Sequence, residues 1–181
     1  MCTRKAEEVK TETPLIAYKV VGVTRCGRVC TPFWHYEIEK DILEGKESLL
    51  PEIKHKPFID INEGNTVVSL KSGYIHTYAD KDSLVYDYFN FFERNASEDG
   101  IYIKFRVYEV EIPAGCECWK GMFDYDSSNL TYASTQIVFK REVSIEELIK
   151  WRDEVIAKSE TTDRFPDGIN MPLCMQRKQF E

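Results

Sequence analysis

IYIKFRVYEVEI, residues 101–112, is the longest strand signal in the chain and the stretch that decides its fold. Side chains alternate along a strand, so Ile101, Ile103, Phe105 and Val107 point one way. The apolar parity then switches to Val110 and Ile112, as happens at a β-bulge or where a strand passes between sheets. Pro113-Ala114-Gly115 ends the run.

Strand signals continue on both sides of it. LIAYKVVGV, residues 15–23, is a β-branched run suited to a central strand, and Cys26-Gly27-Arg28 turns the chain out of it. VCTPFWHYEI, residues 29–38, alternates aromatic and polar residues around Pro32. Proline has no N–H for a central ladder, so this reads as an edge or bent strand. Residues 39–65 carry Gly45, Pro51, Pro57 and Gly64 and read as a long charged loop with one short helix near 48–54. Residues 66–70 and 74–78 are short strands around the turn Lys71-Ser72-Gly73. Residues 121–129 form an acidic loop. YASTQIVF, residues 132–139, is the last strand, with Ala133, Thr135, Ile137 and Phe139 on one face.

Two helices complete the pattern. Asp80 is placed to N-cap the first, whose Leu84, Val85, Tyr88, Phe91 and Phe92 share one side. The second opens with Ser144-Ile145-Glu146-Glu147, a capping box flanked by the staple pair Val143 and Leu148, and runs to about Lys158. The order β-β-β-β-α-β-β-α predicts an α+β fold. Its sheet is a strongly bent antiparallel or mixed one, or a small open barrel, with two main helices outside. Residues 14–158 form the single expected domain, between a flexible arm at 1–13 and a loop-rich tail at 159–181.

The formal charge is −7, from 24 Lys and Arg against 31 Asp and Glu. Such a balance repels polyanions, and the short basic clusters Lys54-His55-Lys56 and Arg177-Lys178 make no stripe for a nucleic acid. No apolar run is long enough for a signal peptide or a membrane span, so the expected setting is cytoplasmic. Six cysteines are then expected as thiols.

Few motifs carry chemistry. There is no Gly-x-Ser-x-Gly elbow, P-loop or dinucleotide fingerprint. Cys26, Cys30, Cys116 and Cys118 are the one set that offers zinc four thiolates, although unconnected thiols are the simpler expectation. Of His35, His55 and His76, the last is the most suggestive, because it ends a strand just before a helix and suits proton transfer near neutral pH. The pairs Glu109/Glu111 and Asp124/Asp126 are expected to be solvated. Many tyrosines fall on strands, where a cluster on one concave face would bind a planar ligand or a protein.

Tyr18-Lys19, Gly73-Tyr74-Ile75-His76, Val110-Glu111 with Gly115, and Arg141-Glu142 running into residues 144–148 resemble the motifs of small uncharacterised domains of bacteriophages and bacterial mobile elements. The resemblance spans roughly residues 15–150 and brings no function with it. The acidic balance, the aromatic-rich sheet, the long charged loop at 39–65 and the want of a complete catalytic constellation predict an accessory domain of that type that binds a protein or small-molecule partner, with no cofactor. Tyr132-Ala133-Ser134-Thr135 followed by Glu142 is similar to the strand and glutamate of the ADP-ribosyltransferase fold. That likeness implies a split, bent sheet, NAD as substrate and Glu142 stabilising the oxocarbenium-like centre; for any catalysis at all, Tyr18, His76, Tyr132, Ser134 and Glu142 are the residues to examine. The first strand holds no arginine or histidine and no Glu-x-Glu turn follows, so a binding domain is the leading expectation.

Overall fold

The long strand is central because apolar side chains cover both of its faces. In the computed structural model it is β7, Tyr102–Ile112, and it pairs antiparallel with β2, Leu15–Thr24, from Ile112↔Leu15 to Lys104↔Val23. Phe105 and Val107 pack on one side, and Tyr108, Val110 and Ile112 on the other. The parity switch therefore marks a change of cover. The register of β7 with β2 shifts only at its far end, between Val23 and Thr24, and the bulge nearest the switch lies in the neighbouring strand β10, Val138–Val143, where the register shifts between Phe139 and Arg141.

The structure describes residues 3–33, 35–51, 59–61, 68–70, 73–123 and 129–161. Among these, β1 (Thr3–Glu8), β3 (Val29–Cys30), β4 (Ile59–Ile61), β5 (Val68–Leu70), β6 (Ile75–Tyr78), β8 (Cys118–Phe123) and β9 (Leu130–Ser134) complete one sheet. Its order is β10-β7-β2-β6-β9-β8-β1-β5-β4, with β3 beside β2, and it stays open at both ends. Every pairing is antiparallel. The fold is α+β and β-rich.

Chain length forces the sheet to bend. Ser134 and Val138 are joined by four residue steps, at most about 14 Å of extended chain. In a flat sheet β9 and β10 would stand four strand spacings apart, about 19 Å. The connection between them carries Ile137, fully buried in the cluster with Ala17, Val21, Ile75, Val110, Cys118 and Phe139. The sheet thus curls around that cluster, which lines its concave face. Ile38, Leu43 and Leu49 pack onto the same cluster from the segment after β3.

At its centre the sheet also splits. β2 meets β6 through a single residue pair, Tyr18↔Tyr78, and farther along the same edge it pairs with β3 through Gly22↔Cys30. The helices cover the convex face: α2 (Lys81–Asp87), a π-helical turn (Tyr88–Phe92), α3 (Glu93–Asn95) and α4 (Ile145–Thr161). Asp80 accepts from the Ser83 amide at 2.7 Å, the expected N-cap. At α4 the capping box closes in both directions, Glu147 N–H to Ser144 Oγ at 3.2 Å and Ser144 N–H to Glu147 Oε2 at 3.3 Å. Val143 and Leu148 lie in one cluster beneath it with Tyr18, Leu84 and Trp151.

Several local expectations are corrected. The arm is no arm at residues 3–8, which pair with β8 and β5. The strand expected at 132–139 breaks after Ser134, whose hydroxyl donates to the Gln136 carbonyl, and its halves join different sides of the sheet. The short helix falls earlier than 48–54, as α1 (Lys40–Leu43), while Leu49 bridges to Ile137. Residues 52–54, His55, Asp124, Asp126 and residues 162–181 of the tail lie outside the described residues.

Candidate functional site

Lys19 interrupts an apolar run, and the split gives it a place. It follows the last bridged pair, Tyr18↔Tyr78, and by alternation shares the concave face with Ala17 and Val21. Its register mate on β7 is Tyr108. The Lys19 ammonium reaches across the split and donates to the His76 carbonyl at 2.8 Å. It thereby ties β2 to β6 where the two strands diverge. Burial alone pulls the Lys19 amine down to about 8, and no carboxylate pairs with it among the described residues. A cation taken out of water without a counter-charge is costly, and such groups concentrate at functional sites.

A second polar group on this face is left over. Thr77 is 1% exposed, and its Oγ1 has no hydrogen-bond partner. Register places Thr77 opposite Tyr132, on the side of β6 away from Tyr78. Lys19, Thr77, Tyr108 and Tyr132 therefore belong to one face at the apex of the split. Together they offer a cation, two phenols and a hydroxyl to a small polar or anionic ligand. The signal for Lys19 was a charge inside a β-branched strand. Thr77 had none, because its isolation arises only from tertiary packing.

The residues singled out from sequence divide between the two faces. Tyr18 lies under the helices, edge-on to Trp151 with ring centroids 5.5 Å apart. His76 is on that same face by alternation with Tyr78. Burial, with the charge of Lys19 adding to it, pushes the His76 imidazole down to about 3. Tyr132, Ser134 and Glu142 belong to the concave side. Ser134 is fully buried. Glu142 accepts from Tyr108 Oη at 3.3 Å and pairs with Arg106 at 3.5 Å, on a strand separated from β9 by β7, β2 and β6. Tyr18, His76 and Tyr132 do not converge on one concavity.

The four-cysteine arrangement is overturned. Among the described residues no three His, Cys, Asp or Glu side chains are grouped to hold a metal. Cys30 is buried on β3, Cys118 is buried on β8, and the Cys116 thiol donates to the Pro113 carbonyl. Two of the four sulfurs are thus committed to separate parts of the fold. Cys26 stands apart in chemistry as well. It is exposed at the turn after β2, 3.2 Å from both Thr24 Oγ1 and Arg28 Nε. These hydrogen bonds pull its thiol down to about 7, whereas burial pushes Cys30, Cys116 and Cys118 up. Because the thiolate is the nucleophile, iodoacetamide at pH 7 is expected to alkylate Cys26 before the other described cysteines, Cys30, Cys116 and Cys118. Arg28→Ala should slow that reaction several-fold at pH 7 and leave it unchanged at pH 10, as peptide mass spectrometry would show; equal slowing at both values would point to access instead of ionisation.

No helix among the described residues is long and apolar enough to cross a membrane. No protein-family model matches the chain, and neither a curated protein nor a solved structure matches it.

Proposed function

We propose that this chain is a binding domain, of the accessory kind carried by bacteriophages and mobile elements, that takes a small anionic molecule at the apex of its split sheet. The observation that carries this reading is the half-buried Lys19 ammonium at the split, which no carboxylate pairs with among the described residues. An anion seated there supplies the missing charge, and a carboxylate oxygen also gives the Thr77 hydroxyl an acceptor. Isothermal titration with acetate, pyruvate and inorganic phosphate tests it. At least one anion should bind the wild type, bind more weakly as pH rises through 8 and Lys19 loses its proton, and fail to bind Lys19→Met. Thr77→Val should weaken binding about fivefold, the worth of one hydrogen bond. Equal binding by Lys19→Met, or no binding to the wild type, would sink the proposal.

The split sheet also supports a second reading, an NAD-consuming transferase of the ADP-ribosyltransferase type. In that reading Tyr132 meets the dinucleotide and Glu142 stabilises the cationic sugar. The burial of Ser134 and the three strands between β9 and β10 weigh against it. Nicotinamide release from NAD that Glu142→Gln abolishes would establish this reading over the first.

A further inference from the structure

Antiparallel register carries the pair Tyr18↔Tyr78 one step further to Lys19 and Thr77, which face each other where β2 and β6 begin to part. Facing positions on neighbouring strands stand about 5 Å apart, and here the gap is widening. Both side chains belong to the concave face, shared with Ala17 and Val21 of β2 and Ile75 of β6. Two polar groups thus meet across the mouth of the split, beside an apolar cluster. Neither has a charged partner among the described residues.

The two are engaged differently. Lys19 Nζ donates to the His76 carbonyl at 2.8 Å, and that carbonyl belongs to the peptide leading into Thr77. Thr77 Oγ1 is buried with nothing to bond. A buried hydroxyl without a partner is costly, and it marks a place where a ligand's acceptor fits. The Lys19 amine matters for its lone pair. Its acceptor is a neutral carbonyl, so Lys19 can shed a proton without leaving a carboxylate unpaired, and a remaining N–H still reaches His76. Burial pulls the amine to about 8, so about one-tenth of it is neutral at pH 7, against less than about one in a thousand for an ordinary lysine. A desolvated lysine of this kind is a nucleophile toward carbonyl carbon. The residue is half-buried and not sealed, which leaves a small molecule access.

We infer that Lys19 forms a Schiff base with a small 2-oxo acid, whose carbonyl carbon meets the Lys19 amine and whose carboxylate accepts from Thr77. Such a ligand presupposes that the apex takes an anion, as proposed above, and specifies which. The nitrogen lone pair attacks the carbonyl carbon, and the C=O π pair moves to oxygen. That oxygen takes the proton that nitrogen sheds, giving a carbinolamine. A proton from solvent then carries the hydroxyl off as water, and the nitrogen lone pair closes the C=N bond of an iminium. The iminium keeps one N–H for the His76 carbonyl and keeps the positive charge. No carboxylate among the described residues is paired with Lys19 to neutralise that charge, so the ligand brings its own. This selects an oxo acid over a neutral aldehyde or ketone.

The test incubates the whole chain at pH 7 with pyruvate and sodium cyanoborohydride, and peptide mass spectrometry locates each labelled lysine. Lys19 is expected to gain the reduced adduct at least about tenfold faster than the other lysines, which serve as controls within the same chain. Methyl pyruvate, whose ester carries no charge, should show no such preference. Thr77→Val should slow labelling of Lys19 by pyruvate about fivefold. Lys19 labelled no faster than the other lysines would overturn the Schiff base. In that event, acetate or phosphate still binding at Lys19 by titration would leave the anion site standing, and no binding would remove both. An equal preference for Lys19 with methyl pyruvate would overturn the assignment to an oxo acid.

Discussion

Phe139→Ala is expected to destabilise the domain by about 3–5 kcal/mol, the usual cost of emptying a buried phenylalanine site. The ring is 1% exposed and packs edge-on to Tyr108 at 5.2 Å, in the cluster around which the sheet curls. The residue also sets the backbone on which the covering segment rests. Gly45, at φ 73°, lies so close that an added Cβ would come within 2.3 Å of the Phe139 carbonyl. With β10 bulged immediately after Phe139, little local backbone can move inward to fill the void. Urea unfolding should show the loss as a lower midpoint, with Phe139→Leu losing less. A loss below about 1.5 kcal/mol would mean that the cavity collapses and that this cluster does not hold the curl.

How much of this was legible beforehand depends on where each contact is made. Both helix N-termini could be read, because Asp80 to Ser83 and Ser144 to Glu147 are contacts between residues three apart. β2, β6 and β7 could be read from their apolar runs, and from them the α+β class. β1 could not: Thr-Arg-Lys-Ala-Glu-Glu has no strand pattern, and its order comes from pairing with β8, far away in sequence. The break after Ser134 was hidden for a related reason, since alternation continues through it while the two halves go to different partners. The split is wholly non-local. It made the aromatic residues Tyr18 and Tyr132 look like neighbours when they lie on opposite faces, and it turned Lys19 from one letter of a strand into the centre of the candidate site.

The split also ties acid stability to one side chain. The His76 imidazole is pushed from its ordinary 6.5 down to about 3, first by burial and then by the charge of Lys19. Between those values the unfolded chain binds a proton that the folded chain refuses, so stability falls as pH falls through the window. Each unit costs about 1.4 kcal/mol, which makes roughly 3 kcal/mol by pH 4. Lys19 is protonated in both states throughout this range and adds no slope of its own. Glutamates whose acidity is raised by their partners, Glu44, Glu146 and Glu147, also lose stability in acid, but they do so equally in a variant that changes only His76. His76→Gln keeps the backbone carbonyl that receives Lys19 and removes the titrating ring. The difference between wild type and His76→Gln, followed by urea unfolding from pH 7 to pH 4, is therefore expected to swing toward the variant by roughly 3 kcal/mol. Lys19→Met should reduce that swing by less than half, because burial is the larger cause of the shift. Parallel curves for wild type and His76→Gln would show that the ring takes its proton in the folded state at its ordinary pH, and that the apex of the split is open to water.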